Sequence, residues 1–164
     1  MPHTMKRIYL LVLPVLALVL VSCNDKAAST PILRAGTAVI RTSAAGVCDT
    51  ISYLDTLSVA DTARLQLVAS GNFNALTSLV AKADTGCVQV ALEWNPDYDS
   101  YLAAGSDPEH GILKFVPEQV YAVQTALKYV PRKAGSHTIN LVVASDAPAE
   151  YSPREYTFDI VVKE

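Results

Sequence analysis

Apolar residues recur with a period of two through most of this chain, and few folds accept that pattern. In HTINLVVA (137–144), Ile139, Leu141 and Val143 share a face. EYTFDIVV (155–162) does the same with Tyr156, Phe158, Ile160 and Val162, and CVQVALEW (87–94) with Val88, Val90, Leu92 and Trp94. ARLQLVA (63–69) sets Leu65 and Leu67 around Gln66, and VYAVQTALKYV (120–130) is rich in β-branched and aromatic residues. Successive side chains of a strand point to opposite faces, so each segment reads as a strand with one buried face. Turn-forming residues separate them: SGN at 70–72, DTG at 84–86, NPD at 95–97, KAG at 133–135 and SDAP at 145–148. Strands at this spacing, with no strong helix between them, predict an antiparallel β-sandwich.

The segment NALTSLVAKADTG (74–86) also fits helical spacing, with Asn74 and Gly86 as caps. Strand is the preferred reading, because Thr77, Ser78 and Val80 are poor helix formers and both neighbours are strands. PDYDSYLAAGSDPEHG (96–111) is the longest connection, with one helical turn expected near 98–103.

The N-terminus is organised differently. Lys6 and Arg7 precede an uncharged apolar run from Ile8 to Val21. Fourteen helical residues reach about 21 Å, short of the roughly 30 Å hydrocarbon core, and Pro14 interrupts them. This is the layout of a secretory signal. Leu20-Val21-Ser22-Cys23 resembles the lipobox of bacterial lipoproteins: an aliphatic residue, two small or β-branched ones, then Cys. The resemblance implies cleavage before Cys23 and acyl chains on its sulfur and new amino group. It divides the chain into a signal peptide (1–22), a lipidated N-terminus and flexible tether (23–35), and a folded domain (36–164).

Loss of residues 1–22 removes Lys6 and Arg7. Lys+Arg then falls from 13 to 11 against 16 Asp+Glu, a net charge of −5. No basic run remains, so nucleic acid is excluded as a partner. Attachment to a membrane rests on acyl chains, at about 0.8 kcal/mol per buried CH₂. The expected location is the cell envelope, on the outer membrane of a Gram-negative bacterium.

Cys48 and Cys87 are the other cysteines. In an oxidising compartment two cysteines suggest one bridge, and a loop of roughly 40 residues would be worth about 4 kcal/mol. The alternative is two unpaired thiols. Zinc is excluded by the lack of CxxC and HxxxH spacings. Asp-Thr repeats at 49, 55 and 61. A six-residue step keeps one strand face, so the three carboxylates read either as a cation ladder or, more ordinarily, as strand ends and turns.

Polar and aromatic side chains concentrate in the long connection. Asn95, Asp97 and Asp99 have the 1-3-5 spacing of a calcium loop, but Ser100 stands where that loop has Gly and Ser106 where it has Glu. With Asp107, Glu109 and His110 they read as a solvated acidic loop, a looser calcium site being the alternative. Trp94, Tyr98 and Tyr101 cluster at its start. Aromatics presented by a loop stack on sugars or contact proteins, whereas the alternation of Trp94 with Leu92 also allows it to close the core. His137 shares a strand face with Ile139 and Leu141. GxSxG, GxGxxG and GxxxxGK[ST] are all absent, so no catalytic residue, metal ligand or cofactor is assigned.

YVPRKAGSHTINLVVASDAP (129–148), followed by FDIVV, resembles the closing strands of bacterial immunoglobulin-like domains. Residues 55–94, with the lipobox, are similar to small exported lipoproteins of Bacteroidales. The resemblance implies an immunoglobulin-like β-sandwich and an envelope address, without a catalytic motif. Trp94 follows both cysteines, unlike antibody-type domains. The expected function is a lipid-anchored, non-catalytic binding or accessory module, monomeric, contacting a glycan or envelope protein through Trp94, Asp97, Tyr98, Asp99, Tyr101 and His110. A structural, adhesin-type assembly component is the alternative, and a glycan-related hydrolase a remote one. Cys23→Ala is expected to abolish cleavage by the lipoprotein peptidase and labelling by radioactive palmitate, both read on the precursor in cells.

Overall fold

The computed structural model describes residues 26–164. Cys23 and the apolar run lie outside the described residues. Ten strands form two five-stranded sheets. One has the order β2 (Cys48–Ser52), β1 (Ile32–Thr42), β4 (Thr62–Ser70), β8 (Ala122–Pro131), β6 (Val88–Leu92). The other has β3 (Leu57–Ser58), β10 (Arg154–Lys163), β9 (Gly135–Ser145), β5 (Leu76–Lys82), β7 (Ile112–Lys114). Strands β1, β4, β8 and β6 occupy positions A, B, E and D of an immunoglobulin-like sandwich, and β5, β9 and β10 positions C, F and G. The three additions are edge strands, each five residues or shorter. Pairing is antiparallel except between β3 and β10, which run parallel.

The alternation read in the sequence is the alternation that builds the core. Ala63, Leu65, Leu67 and Ala69 of β4 are buried while Gln66 and Val68 are exposed. Ile139, Leu141 and Val143 of β9, with Ile160 and Val162 of β10, face them from the other sheet. Each large aliphatic side chain moved out of water contributes about 1.5–3 kcal/mol. Residues 76–82 are strand, as preferred: Leu76, Leu79 and Ala81 are buried. Tyr129, 1% exposed, packs edge-on against Phe158 at 6.0 Å. Burial alone pushes its phenol up to about 12.

The expected tether over 23–35 requires correction. Strand β1 begins at Ile32 and lies between β2 and β4. Ahead of it, residues 26–31 are docked on the sandwich. The Ala27 N–H donates to Asn74 Oδ1 (2.8 Å), and Asn74 Nδ2 donates back to Ala27 O (2.9 Å) and to Ser29 Oγ (3.0 Å). Asn72 donates to Thr30 O at 3.2 Å, and its own carbonyl accepts from the Ser29 hydroxyl. Lys26 Nζ sits between Asp146 (2.5 Å) and Glu118 (3.1 Å). The folded unit therefore includes the described residues from Lys26 onward, ten residues earlier than expected. Small polar residues are a tether only when nothing answers their hydrogen bonds, and here two asparagines more than forty residues away do.

The clamp depends on the β4–β5 connection. The Asn74 N–H donates to Gly71 O (3.2 Å), closing a tight turn whose central residues Asn72 and Phe73 have φ of 51° and 77°. That is the geometry of a type I′ turn, which favours Asn then Gly. Gly71 has no substitute: a Cβ there would lie 2.0 Å from Asn74 O.

Cys48 and Cys87 are both free, which corrects the suggested bridge. Cys48 lies on edge strand β2 and Cys87 immediately precedes the opposite edge strand β6 of the same sheet. Four interstrand steps separate them by about 19 Å, against the roughly 7 Å a disulfide tolerates between Cα atoms. The Cys87 thiol donates to Asp84 Oδ2 (3.3 Å). That bond, with burial adding to it, raises the thiol above its ordinary range. The Gly86 amide and then this thiol hold the Asp84 carboxyl below its own. The expectation is that unreduced native protein takes up alkylating reagent at both positions, exposed Cys48 well ahead of Cys87. Mass spectrometry over a time course checks it.

Candidate functional site

Strand β6 runs toward the end of the sandwich where the β4–β5 turn lies, and the chain beyond it builds the densest aromatic surface. The peptide carbonyl of Glu93 accepts from the Thr125 hydroxyl of β8, and the Glu93 amide donates to Ala126 O at 2.8 Å. Asn95 then starts a 3-10 helix, Pro96–Tyr101, with its side chain accepting from Asp97 N at 3.1 Å. Pro96 suits this first position because its missing N–H would be unpaired anyway. The short helix turns Tyr98 and Tyr101 outward, 54% and 41% exposed, with ring centroids 6.3 Å apart.

Trp94 both packs on the core and borders a cleft. One part of the indole packs on buried Phe115, centroids 6.2 Å apart. Its N–H donates to Asp99 Oδ1 at 3.1 Å. The rest of the ring walls a cleft of about 620 Å³ shared with Tyr98 and Tyr101. The opposite wall comes from the 119–124 segment: Gln119, Tyr121 and Gln124, with Tyr121 54% exposed. Sequence reasoning missed this wall. Its only local signal was the aromatic and amide content of EQVYAVQ, which the strand reading absorbed.

The polar lining is uncharged in effect. Glu93 is the one carboxylate at the cleft, and Arg64 grips it in a two-pronged ion pair, Nε to Oε1 at 2.6 Å. The same pair holds the Arg64 guanidinium above its ordinary range. What faces a ligand is therefore four aromatic rings and the side-chain amides of Asn95, Gln119 and Gln124.

Not all expected site residues meet there. Asp99 is spent on the Trp94 indole, and Asp97 lies in the first turn of the 3-10 helix, outside the cleft wall. The calcium-like 1-3-5 spacing is thus a capped, acid-started helical turn, favoured by the helix dipole. Asp107 caps a second 3-10 helix, Pro108–His110, accepting from the His110 amide at 3.3 Å and meeting its Nδ1 at 2.8 Å. His110 lines a separate groove with Gln89 and Arg132, so it is removed from the aromatic cluster. His137 Nε2 sits 2.8 Å from Lys133 O. The three Asp-Thr aspartates are likewise used locally: Asp49 pairs with Arg41, Asp55 accepts from Ser52 N at 2.7 Å, and buried Asp61 accepts from Ser58 N at 2.9 Å. Among the described residues no group of three His, Cys, Asp or Glu side chains is placed to hold a metal ion, and no helix is long and apolar enough to cross a membrane.

No protein-family model matches the chain, and neither does any curated protein. Among solved structures, a family 123 glycoside hydrolase from Clostridium perfringens, described for the hydrolysis of glycolipid glycans, superimposes at a TM-score of 0.39 with 12% identity. The match covers 82% of this chain and 27% of that one. A likeness this distant carries no argument about activity.

The indole clamp is open to test because the chain has a single tryptophan. Asp99→Ala removes its acceptor at a cost of about 0.5–1.5 kcal/mol. Tryptophan emission is expected to move to longer wavelength and to become more accessible to iodide, with the far-ultraviolet circular dichroism unchanged.

Proposed function

We propose that this protein is a lipid-anchored, non-catalytic binding module of the cell envelope whose aromatic cleft takes a neutral glycan. The observation that carries the reading is the composition of the cleft. Trp94, Tyr98, Tyr101 and Tyr121 supply ring faces, Asn95, Gln119 and Gln124 supply amide donors and acceptors, and the lone carboxylate is already neutralised by Arg64. Sugar rings offer apolar C–H faces and a rim of hydroxyls, which aromatic rings and amides match. An anionic ligand would find no unpaired cation among the lining residues. The lipobox-like LVSC at 20–23 supports the anchor and the envelope address.

The expected outcome on an array of bacterial envelope glycans is selective binding, with affinity then measured by calorimetry. Tyr98→Ala and Tyr121→Ala should each weaken it about tenfold, which corresponds to roughly 1.4 kcal/mol. His110→Ala, in the separate groove, should leave it unchanged. Absence of binding across the array, or equal losses in all three variants, removes the reading.

A further inference from the structure

We propose that the end of the sandwich carrying the β4–β5 turn rests directly on the bilayer, with Phe73 as its inserted apolar contact. The inference rests on the anchor reading above and adds an orientation and a second membrane contact to it. It begins with the clamp on the N-terminal segment. Only Asn24 and Asp25 separate Cys23 from Lys26, and Lys26 is the first residue held by the folded unit, between Asp146 and Glu118. Three residue steps span at most about 10 Å. A lipid on Cys23 therefore leaves no room for the domain to stand off, and the end bearing Lys26 must meet the membrane.

Phe73 is the side chain that this end presents. It is 86% exposed, the most exposed large apolar side chain among the described residues. Its neighbours on both sides, Asn72 and Asn74, are the residues that grip 27–30, so the ring is carried on the very turn that docks the anchor segment. Phe73 also occupies a left-handed conformation, φ 77°, at a turn position that favours glycine. A bulky residue there is unusual, and burial does not explain it, because the ring touches no core. Backbone strain that holds an apolar ring in water points to a contact made outside the chain. The turn is tied to the segment leading into β8, because the Gly71 N–H donates to Tyr121 O at 2.9 Å. Phenylalanine is a side chain suited to the apolar boundary of a bilayer interface. The carboxylates at this end, Glu118 and Asp146, favour a zwitterionic surface over an anionic one.

The test uses the full chain, produced with lipid on Cys23 and reconstituted into vesicles of phosphatidylcholine with brominated acyl chains. Phe73→Trp and Val47→Trp are each placed in a Trp94→Phe background. Val47, 63% exposed in the β1–β2 turn, serves as the control at the opposite end of the sandwich. Palmitate labelling and flotation with the vesicles report the anchor independently of either tryptophan. The expected result is labelling, flotation, and bromine quenching of the Phe73→Trp protein about threefold stronger than that of the Val47→Trp protein, matching a ring buried in the boundary layer. Labelling and flotation with equal quenching at both positions overturns the seat and leaves the anchor standing. Loss of labelling and flotation overturns both. If the Trp94→Phe background fails to fold, hydrogen exchange of the 70–75 amides in the lipidated native sequence takes its place. Slower exchange on vesicles than in detergent supports the seat, and unchanged exchange overturns it.

Discussion

Leu65, Leu67 and Leu127 of one sheet share a single apolar layer with Leu79, Ile139, Leu141 and Val143 of the other. Everything else in the molecule answers to that layer. It forces the two sheets face to face, and so places the turns of one end beside one another. The β4–β5 turn, the connection after β6 and the 116–121 segment thereby become neighbours although they are far apart in the chain. The edge strands are short, and β10 pairs with β9 from Arg154 to Val162.

One end of the sandwich then carries two assemblies with a shared part. Asn72 and Asn74 hold residues 27–30, and Lys26 reaches Glu118. The next residue, Gln119, begins one wall of the aromatic cleft. On the proposed anchor at Cys23, a cleft this close to the attachment point would sample what the membrane surface presents.

The strands with clean alternation were legible, because a half-buried strand must alternate. β4, β8, β9 and β10 fall where Leu65, Leu127, Ile139 and Phe158 announce them, and strand was the better reading of 76–82. β1 was not legible. A register irregularity between Ala35 and Val39 breaks its period, and only Leu33 and Val39 along it are buried. β7 is three residues long and has no period to detect. At the site, Trp94, Tyr98 and Tyr101 were legible because they are contiguous. Tyr121 and Gln119 were not, since their membership depends on β8 pairing with both β4 and β6. His110 looked close in sequence, but its own cap on Asp107 directs it to another groove.

By itself the sequence determined the class of fold, the two-sheet architecture, the resemblance that points to an envelope address, and the aromatic strip that starts the cleft. These follow from local chemistry: side-chain period, turn residues, flanking charge. The tertiary structure alone decided that the cysteines stand at opposite sheet edges, that the supposed tether is docked, and that the cleft and the N-terminal segment occupy the same end. Those are facts about residues 39 or more positions apart. Strand order governs them, and strand order is chosen by the packing of the whole core.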